Sequence, residues 1–136
     1  MSSGFVHLHT HSSYSPMWGI PTLEALCQAA RTQGQDRLAL TDTNGLYGAI
    51  RFLEVAKHEG LKPILGAELV HKAHRAVLLA KTPAGYANLC RLLSARHEES
   101  TFDFIAAVAR YRAGLIILSD DLSALRTWRK DSPKDV

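Results

Sequence analysis

Short apolar segments alternate with segments of helical periodicity along most of this chain. The strand-like segments are dominated by Leu, Ile, Val and Ala, whereas the segments between them repeat apolar residues every three to four positions. This alternation is typical of an α/β fold in which parallel strands are joined by right-handed helical crossovers. The predicted strands have the sequences FVHLHTH, RLALTD, KPILGAEL, RAVLLA and GLIILSDDL.

Apolar periodicity and capping residues predict four helices. Thr22 is placed to cap the first helix, and Thr82 with Pro83 opens the third in the N-cap and N1 positions. The fourth is expected between Thr101 and Arg112. The residues expected on the buried sides of the first two helices are Leu23, Leu26, Cys27 and Ala30, then Leu46, Ala49, Ile50, Leu53 and Ala56.

The last part of the chain is expected to finish the fold and then lose regular structure. The wholly apolar run GLIIL predicts a strand covered on both faces. Leu122, Leu125 and Trp128 then have the spacing of a last helical turn or two. We therefore expect one domain over residues 1–128 and a frayed polar tail over 129–136.

Composition excludes some classes of protein and leaves others open. The chain has 136 residues, which suits one domain, and a formal charge of +3, which favours an ordinary solvated surface over a DNA-binding face. Cys27 and Cys90 lie on predicted apolar helix faces without metal-type spacing, so we expect both to be structural. No apolar run reaches the ~20 residues of a membrane span and no signal peptide is recognisable, which predicts a cytoplasmic protein.

Histidines occupy alternate positions in the first predicted strand. In a strand, residues two apart face the same side, so at least two of the imidazoles at His7, His9 and His11 are expected to converge. With Glu68 at the end of a later strand, His9 and His11 form a candidate site for Zn²⁺, Mn²⁺ or Fe. His7 is placed deeper in its strand, where we favour a packing role or support of the ligands.

Further acidic residues follow other predicted strands, and each leaves alternatives open. Asp42 is placed either to ligate a metal, to orient a ligand histidine or to cap the helix expected from Gly45. Asp120 and Asp121 are adjacent, so at most one of them is expected to face a shared site, and a plain loop pair is the alternative. The remaining histidines are expected to be solvated, and they are His58, His71, His74 and His97.

A metal at these strand ends would supply a chemistry that no other motif in the chain offers. A bound cation lowers the pKa of a coordinated water and neutralises phosphate charge, which is how metal-dependent phosphoesterases work. The chain contains no phosphate-binding P-loop, dinucleotide-binding glycine motif or nucleophile elbow. The residues alone thus favour a metal-dependent phosphoesterase site.

In order and spacing, four segments resemble the PHP (polymerase and histidinol phosphatase) domain that opens bacterial C-family DNA polymerases, the replicative polymerase III alpha subunit and its error-prone paralogue. The resemblance covers residues 5–128 and implies a (β/α) barrel with a metal cluster at the strand ends. In some members that cluster removes nucleotides as a 3′–5′ exonuclease, and in others the domain is only structural. The segments are FVHLHTHSSYS, LALTDTNGLYGAIRFLEVAKHEGLKPILGAEL, LLAKTPAGYANLCRLLS and GLIILSDDL.

The resemblance carries over to individual residues with several departures. His9, His11 and Glu68 match ligands of the family. Trp18 stands where the family usually has a ligating Asp, and Thr43 where it has His. The family's late LSGCL motif corresponds to LSDDL here, which puts Asp121 in the place of a Cys ligand and Asp120 in the place of a Gly.

This chain also lacks the later strands of the family, so the resemblance implies a partial barrel with an open sheet edge. We therefore predict the leading, N-terminal portion of a PHP domain from a C-family polymerase, with a degraded metal site and a structural or interaction role in DNA replication or repair. The alternative is a metal-dependent phosphoesterase that uses His9, His11, Glu68 and Asp121. Expected partners are the rest of a polymerase or a second copy that closes the barrel, with DNA contacted only indirectly.

Overall fold

The computed structural model describes residues 4–131 and 135, which form a four-stranded sheet with five helices. The strands are ordered β1-β2-β3-β4, and the sheet does not close into a barrel. This confirms an α/β fold that resembles part of a barrel. In chain order the elements are α1 Leu23–Thr32, β1 Arg37–Leu40, α2 Ala49–Glu59, β2 Lys62–His71, β3 His74–Ala80, α3 Pro83–Glu98, α4 Phe104–Tyr111, β4 Leu115–Leu118 and α5 Leu122–Asp131.

The expected all-parallel arrangement is wrong for two of the three strand pairs. Only β1 and β2 run parallel, whereas β2 pairs with β3 and β3 pairs with β4 in antiparallel fashion. Two residues join β2 to β3, and the first of them, Lys72, has a positive φ of 54°. Parallel strands need a connection of about a dozen residues or more, so this tight turn fixes a hairpin.

The histidine-bearing segment does not form the strand that its alternation predicted. Residues 5–11 are irregular, although they follow β1 through bonds from Ala39 N to His7 O (3.1 Å) and from Thr41 N to Thr10 O (2.9 Å). Between the two bonds the N-terminal segment advances by three residues, from His7 to Thr10, whereas the chain at the end of β1 advances by two, from Ala39 to Thr41. The extra residue interrupts the pleat at His9, so the strict two-residue alternation of side chains is lost.

Helices cover one face of the sheet in two groups. In the first group α3 packs on β2–β4, α4 on α3 and α5 on α4, around Leu92, Val108 and Trp128. In the second group α1 packs on β1 and on α2, and α2 packs on β2, around Cys27 and Phe52. Each of these five residues is fully buried, which at about 25 cal/mol per Å² of apolar surface is the main source of stability. The expected stripe of α1 is confirmed at Leu23, Cys27 and Ala30.

In α2 the predicted stripe is partly wrong. The helix begins at Ala49 rather than near Gly45, and it buries Phe52 and Val55 together with Ala49 and Ala56. Ile50 and Leu53 are instead 67% and 36% exposed. Because periods of three and four residues alternate in a helix, Phe52 and Val55 complete the same apolar face as Ala49 and Ala56, and the bulky Phe decides the orientation.

The opposite, inner face of the sheet is apolar and only partly covered. Ala39, Val77 and Leu79 are buried there, with Ile64 and Ile116 packed against them. The expectation that β4 is covered on both faces is wrong, since Leu118 is 37% exposed on this side. The sheet thus has one face packed by helices and one open face.

Helix α5 is longer than the last helical turn or two that the sequence predicts. α5 continues through the first three residues of the predicted polar tail. Asp135 accepts a hydrogen bond from Ile117 N at its carbonyl oxygen (2.9 Å), and its carboxylate pairs with Lys81 Nζ (2.9 Å). Residues 132–134 and 136 lie outside the described residues. Within the described ranges, no helix combines the length and the apolar character that a membrane crossing requires.

Candidate metal centre

His9, His11 and Glu68 converge on the inner face of the sheet, near the point where β1 ends. His9 Nε2 lies 3.3 Å from Glu68 Oε1, and His11 Nε2 lies 2.8 Å from Glu68 Oε2. The two imidazole rings are perpendicular, with centroids 4.9 Å apart. One donor atom from each residue falls within 4.8 Å of the others, so the structure brings three of the four predicted ligands together.

The nitrogen of His11 shows that this donor set suits a divalent cation. His11 Nε2 is buried and makes no hydrogen bond, because its short approach to Glu68 Oε2 lacks hydrogen-bond alignment. A buried polar atom without a partner is costly. Two imidazole nitrogens and one carboxylate are a common protein donor set for Zn²⁺ that leaves a coordination position open. The residues present therefore fit a metal ion.

Asp42 positions the histidine segment. Its buried carboxylate accepts hydrogen bonds from Ser12 N (2.7 Å), Ser12 Oγ (2.8 Å) and Ser15 Oγ (2.6 Å). Among the alternatives for this residue, these bonds favour support of the ligand segment over ligation or helix capping. The sequence-based prediction did not include Ser12 and Ser15. The signal that could have identified them is the run SSYS directly after the histidines.

Thr43 contacts the site from the end of β1. Its Oγ1 donates to Glu68 Oε2 (3.2 Å), and its backbone N–H donates to Ser15 Oγ (2.9 Å). It also forms an isolated parallel bridge with Glu68, in the same register as the β1–β2 pairing. Where the family has a histidine, the chain therefore has a hydroxyl that orients the glutamate.

A cavity of about 520 Å³ opens beside His9 and His11. Trp18 forms part of its wall, and its ring centroid lies 6.3 Å from that of His11. His7 also lines the cavity, and its ring meets Phe5 edge-on at 4.8 Å. His7 is exposed rather than deep in a strand, so its supporting role remains a prediction.

Asp121 is not part of the histidine and glutamate group. It caps α5, where its Oδ1 accepts from Ser123 N (3.0 Å), Ser123 Oγ (2.7 Å) and Ala124 N (3.1 Å), and its Oδ2 lies 2.8 Å from His74 Nδ1. These hydrogen bonds, led by that from Ser123, hold the pKa of the Asp121 carboxyl well below its usual value. A carboxylate is favoured at a helix N-terminus, which explains why Asp121 turns to α5.

All four histidines expected to be solvated have partners, and for His58 the partner is Glu59, whose Oε1 lies 3.5 Å from His58 Nδ1. His74, besides contacting Asp121, stacks on Phe104 with centroids 5.3 Å apart. His97 Nε2 lies 2.8 Å from Asn44 O, and His71 meets Phe102 edge-on. His58 is exposed as predicted.

A second cavity, of about 320 Å³, lies on the other side of His9. Its lining includes Glu68, Arg75 and Asp120. Arg75 Nη2 and Asp120 Oδ2 are 2.9 Å apart in an exposed ion pair. Of the two adjacent aspartates, Asp120 is therefore the one that lines this cavity together with His9 and Glu68.

Two curated relatives share much of this sequence. An error-prone DNA polymerase from Symbiobacterium thermophilum is 47% identical over 94 residues, covering 68% of this chain and 9% of the relative. A DNA polymerase III subunit alpha from Treponema pallidum is 35% identical over 140 residues, covering 88% of this chain and 12% of the relative. The chain spans about a tenth of the length of these polymerases.

A solved structure supports the fold. It is a two-domain protein from Bacteroides vulgatus described as containing a predicted PHP-like metal-dependent phosphoesterase, and it matches with a TM-score of 0.61 at 14% identity. The match covers 95% of this chain and 37% of that one. The family model of the PHP domain matches residues 7–127. The chain therefore belongs to the PHP domain family.

Proposed function

We propose that this chain is the PHP segment of a C-family DNA polymerase of the polymerase III alpha or error-prone class, active in DNA replication or repair in the cytoplasm. In that setting His9, His11 and Glu68 hold one divalent cation, Zn²⁺, Mn²⁺ or Fe, in a mainly structural role. The names of the relatives support the polymerase setting.

One observation carries the structural role. The two histidines lie on the irregular N-terminal segment, whereas Glu68 lies within β2, so a shared cation would tie the two parts of the chain together. Trp18 stands where the family usually has a ligating Asp and Thr43 where it has His, and among the described residues three protein donors come together. Three donors suffice for one cation but do not build a multinuclear cluster.

Thermal unfolding with and without metal tests this proposal. A ligand present at about 100 times its Kd stabilises the folded state by about 2.7 kcal/mol, so Zn²⁺ or Mn²⁺ should raise the Tm by several degrees. Glu68→Gln should remove the increase, whereas Glu54→Gln, on the exposed side of α2, should keep it. An unchanged Tm in the unaltered chain at saturating Zn²⁺ and Mn²⁺ would contradict the proposal.

The second candidate function is a metal-dependent phosphoesterase. His9 favours it, because its side chain is 46% exposed between two cavities, so a substrate could reach an ion held there. When bound, the cation would polarise a phosphoryl oxygen and activate water. Hydrolysis of bis(4-nitrophenyl) phosphate with Mn²⁺, abolished by His9→Ala and kept by His58→Ala, would support it. Equal background rates in all three proteins would exclude it for this chain.

The open inner face suits a further covering layer. In the described part of the chain, Ile64 and Ile116 lie there in a cluster made of strand residues, and Leu118 is 37% exposed. We favour the remainder of a polymerase chain as the partner, with a second copy as the alternative and with DNA contacted only indirectly. Sedimentation of a dimer that Leu118→Arg dissociates would favour the second copy, and a folded monomer would count against it.

A further inference from the structure

Arg75 lies on the inner face of the sheet beside Glu68. In the β2–β3 hairpin, Glu68 pairs with Val77 and Val70 pairs with Arg75. Glu68 and Arg75 are therefore diagonal neighbours on one face, a separation that long side chains can bridge. Both line the cavity that His9 borders. An arginine thus faces the same space as two of the three proposed metal ligands.

Asp120 holds this guanidinium. The pairing between Val77 and Leu118 brings the end of β4 beside β3, and the 2.9 Å contact to Asp120 follows two residues farther on. The hydrogen bond between the pair is the main reason that the pKa of Asp120 is lowered and that of Arg75 is raised. Both side chains are more than half exposed, so the ion pair is weak and open to exchange.

We propose that Arg75 binds a phosphate oxyanion next to the metal centre and that Asp120 is an internal anion that competes for it. The proposal rests on the proposed function in one respect, because a cation at His9 and Glu68 would add a second attraction for the same anion. A guanidinium is suited to phosphate, since its planar N–H groups can donate two parallel hydrogen bonds. This proposal gives Asp120, which is not one of the three proposed metal ligands, a role in phosphate binding.

The test is calorimetric titration of the Mn²⁺-loaded chain with inorganic phosphate. Loss of a hydrogen bond to a charged group should make phosphate binding by Arg75→Ala about tenfold weaker. Arg75→Lys should recover part of this loss, because a point charge remains without the planar fork. Asp120→Asn should bind phosphate about threefold more tightly, since an exposed ion pair is worth at most about fivefold in affinity.

A second ion pair of the same kind supplies matched controls. Arg37 pairs with the exposed Asp36 at 3.0 Å at the start of β1, and neither residue lines the cavities beside His9. Arg37→Ala and Asp36→Asn should leave phosphate affinity unchanged. A general effect of net charge would instead change affinity in the controls as much as in the variants of the cavity.

The outcomes separate this inference from the proposed function. Phosphate affinity within twofold of the unaltered chain in Arg75→Ala overturns the role of Arg75, and an unchanged affinity in Asp120→Asn overturns the competition. If Mn²⁺ does not bind, the proposed function fails, and titration of the metal-free chain with the same variants still decides the role of Arg75. Asp120→Asn should also weaken Mn²⁺ binding slightly, opposite in sign to its effect on phosphate, because a nearby negative charge is lost.

Discussion

Replacing Asp42 by Asn should strongly destabilise the protein. Asp42 is 2% exposed, and its carboxylate accepts three hydrogen bonds from the segment that follows His9 and His11. Asn has nearly the same shape, but it carries no charge and turns two N–H donors toward groups that are themselves donors. The substitution therefore tests the hydrogen bonds while it leaves the packing almost unchanged.

The size of the effect follows from the number of bonds. A hydrogen bond to a charged group contributes about 1.5–3 kcal/mol, and bonds that share one carboxylate are not additive. Asn keeps one acceptor oxygen, which at the Oδ1 position still accepts from Ser12 N and Ser15 Oγ, so one of the three bonds is lost and the other two are weakened by the loss of charge. We expect a decrease of about 3 kcal/mol in the free energy of unfolding, a large share of the 5–15 kcal/mol typical of a domain.

Urea denaturation followed by circular dichroism measures this change. Ser15→Ala, which removes one of the three bonds to Asp42, should cost about 1–2 kcal/mol. Asp36→Asn, an exposed aspartate in an ion pair, should cost less than about 1 kcal/mol. A loss below about 1 kcal/mol in Asp42→Asn would refute the reasoning, because the buried carboxylate would then not be what holds the N-terminal segment.

Two further predictions concern titratable groups. Asp121→Asn should lower the free energy of unfolding at about pH 7. Hydrogen bonds depress the pKa of Asp121 in the folded state below its ordinary value of 3.8. The stabilisation by Asp121 is therefore present above about pH 4 and is lost as the pH falls through the depressed folded-state pKa. Urea denaturation should show the two proteins converging in strong acid, and a constant difference would contradict this. Burial raises the pKa of the Cys27 thiol to about 11, so at about pH 8 a thiol reagent should modify the half-buried Cys90 first. Equal rates are expected only in urea, and equal rates in the folded protein would contradict burial of Cys27.

Local signals in the sequence predicted the helices well, and the strand directions poorly. Thr22, Thr82 and Asp103 accept hydrogen bonds at the starts of α1, α3 and α4, and the first two were expected as caps because such bonds are made within a few residues. The direction of β3 depended on whether the two residues after β2 form a turn. The alternation of element types carries no information on that turn, so an all-parallel sheet was expected.

The grouping of His9, His11 and Glu68 was predictable from the sequence, whereas the position of Asp121 at the start of α5 was not. The segment that carries His9 and His11 runs beside β1 through bonds from Ala39 N and Thr41 N, and β1 is parallel to β2, which brings both histidines to Glu68 within β2. Asp121, which was also predicted as a ligand, bonds instead to Ser123, to the backbone N–H of Ala124 and to His74. Competition between a helix N-terminus and a metal for one carboxylate is a matter of distances that the sequence does not contain.

The most direct test of the central claim is the metal content of the purified chain after incubation with Zn²⁺ or Mn²⁺ and removal of free ions. We predict one bound ion per chain, measured by elemental analysis. His11→Ala and Glu68→Gln should each reduce this to background, and His58→Ala, a change at an exposed histidine, should retain one ion. One ion per chain in all four proteins, or none in the unaltered chain, would contradict a metal centre built from His9, His11 and Glu68.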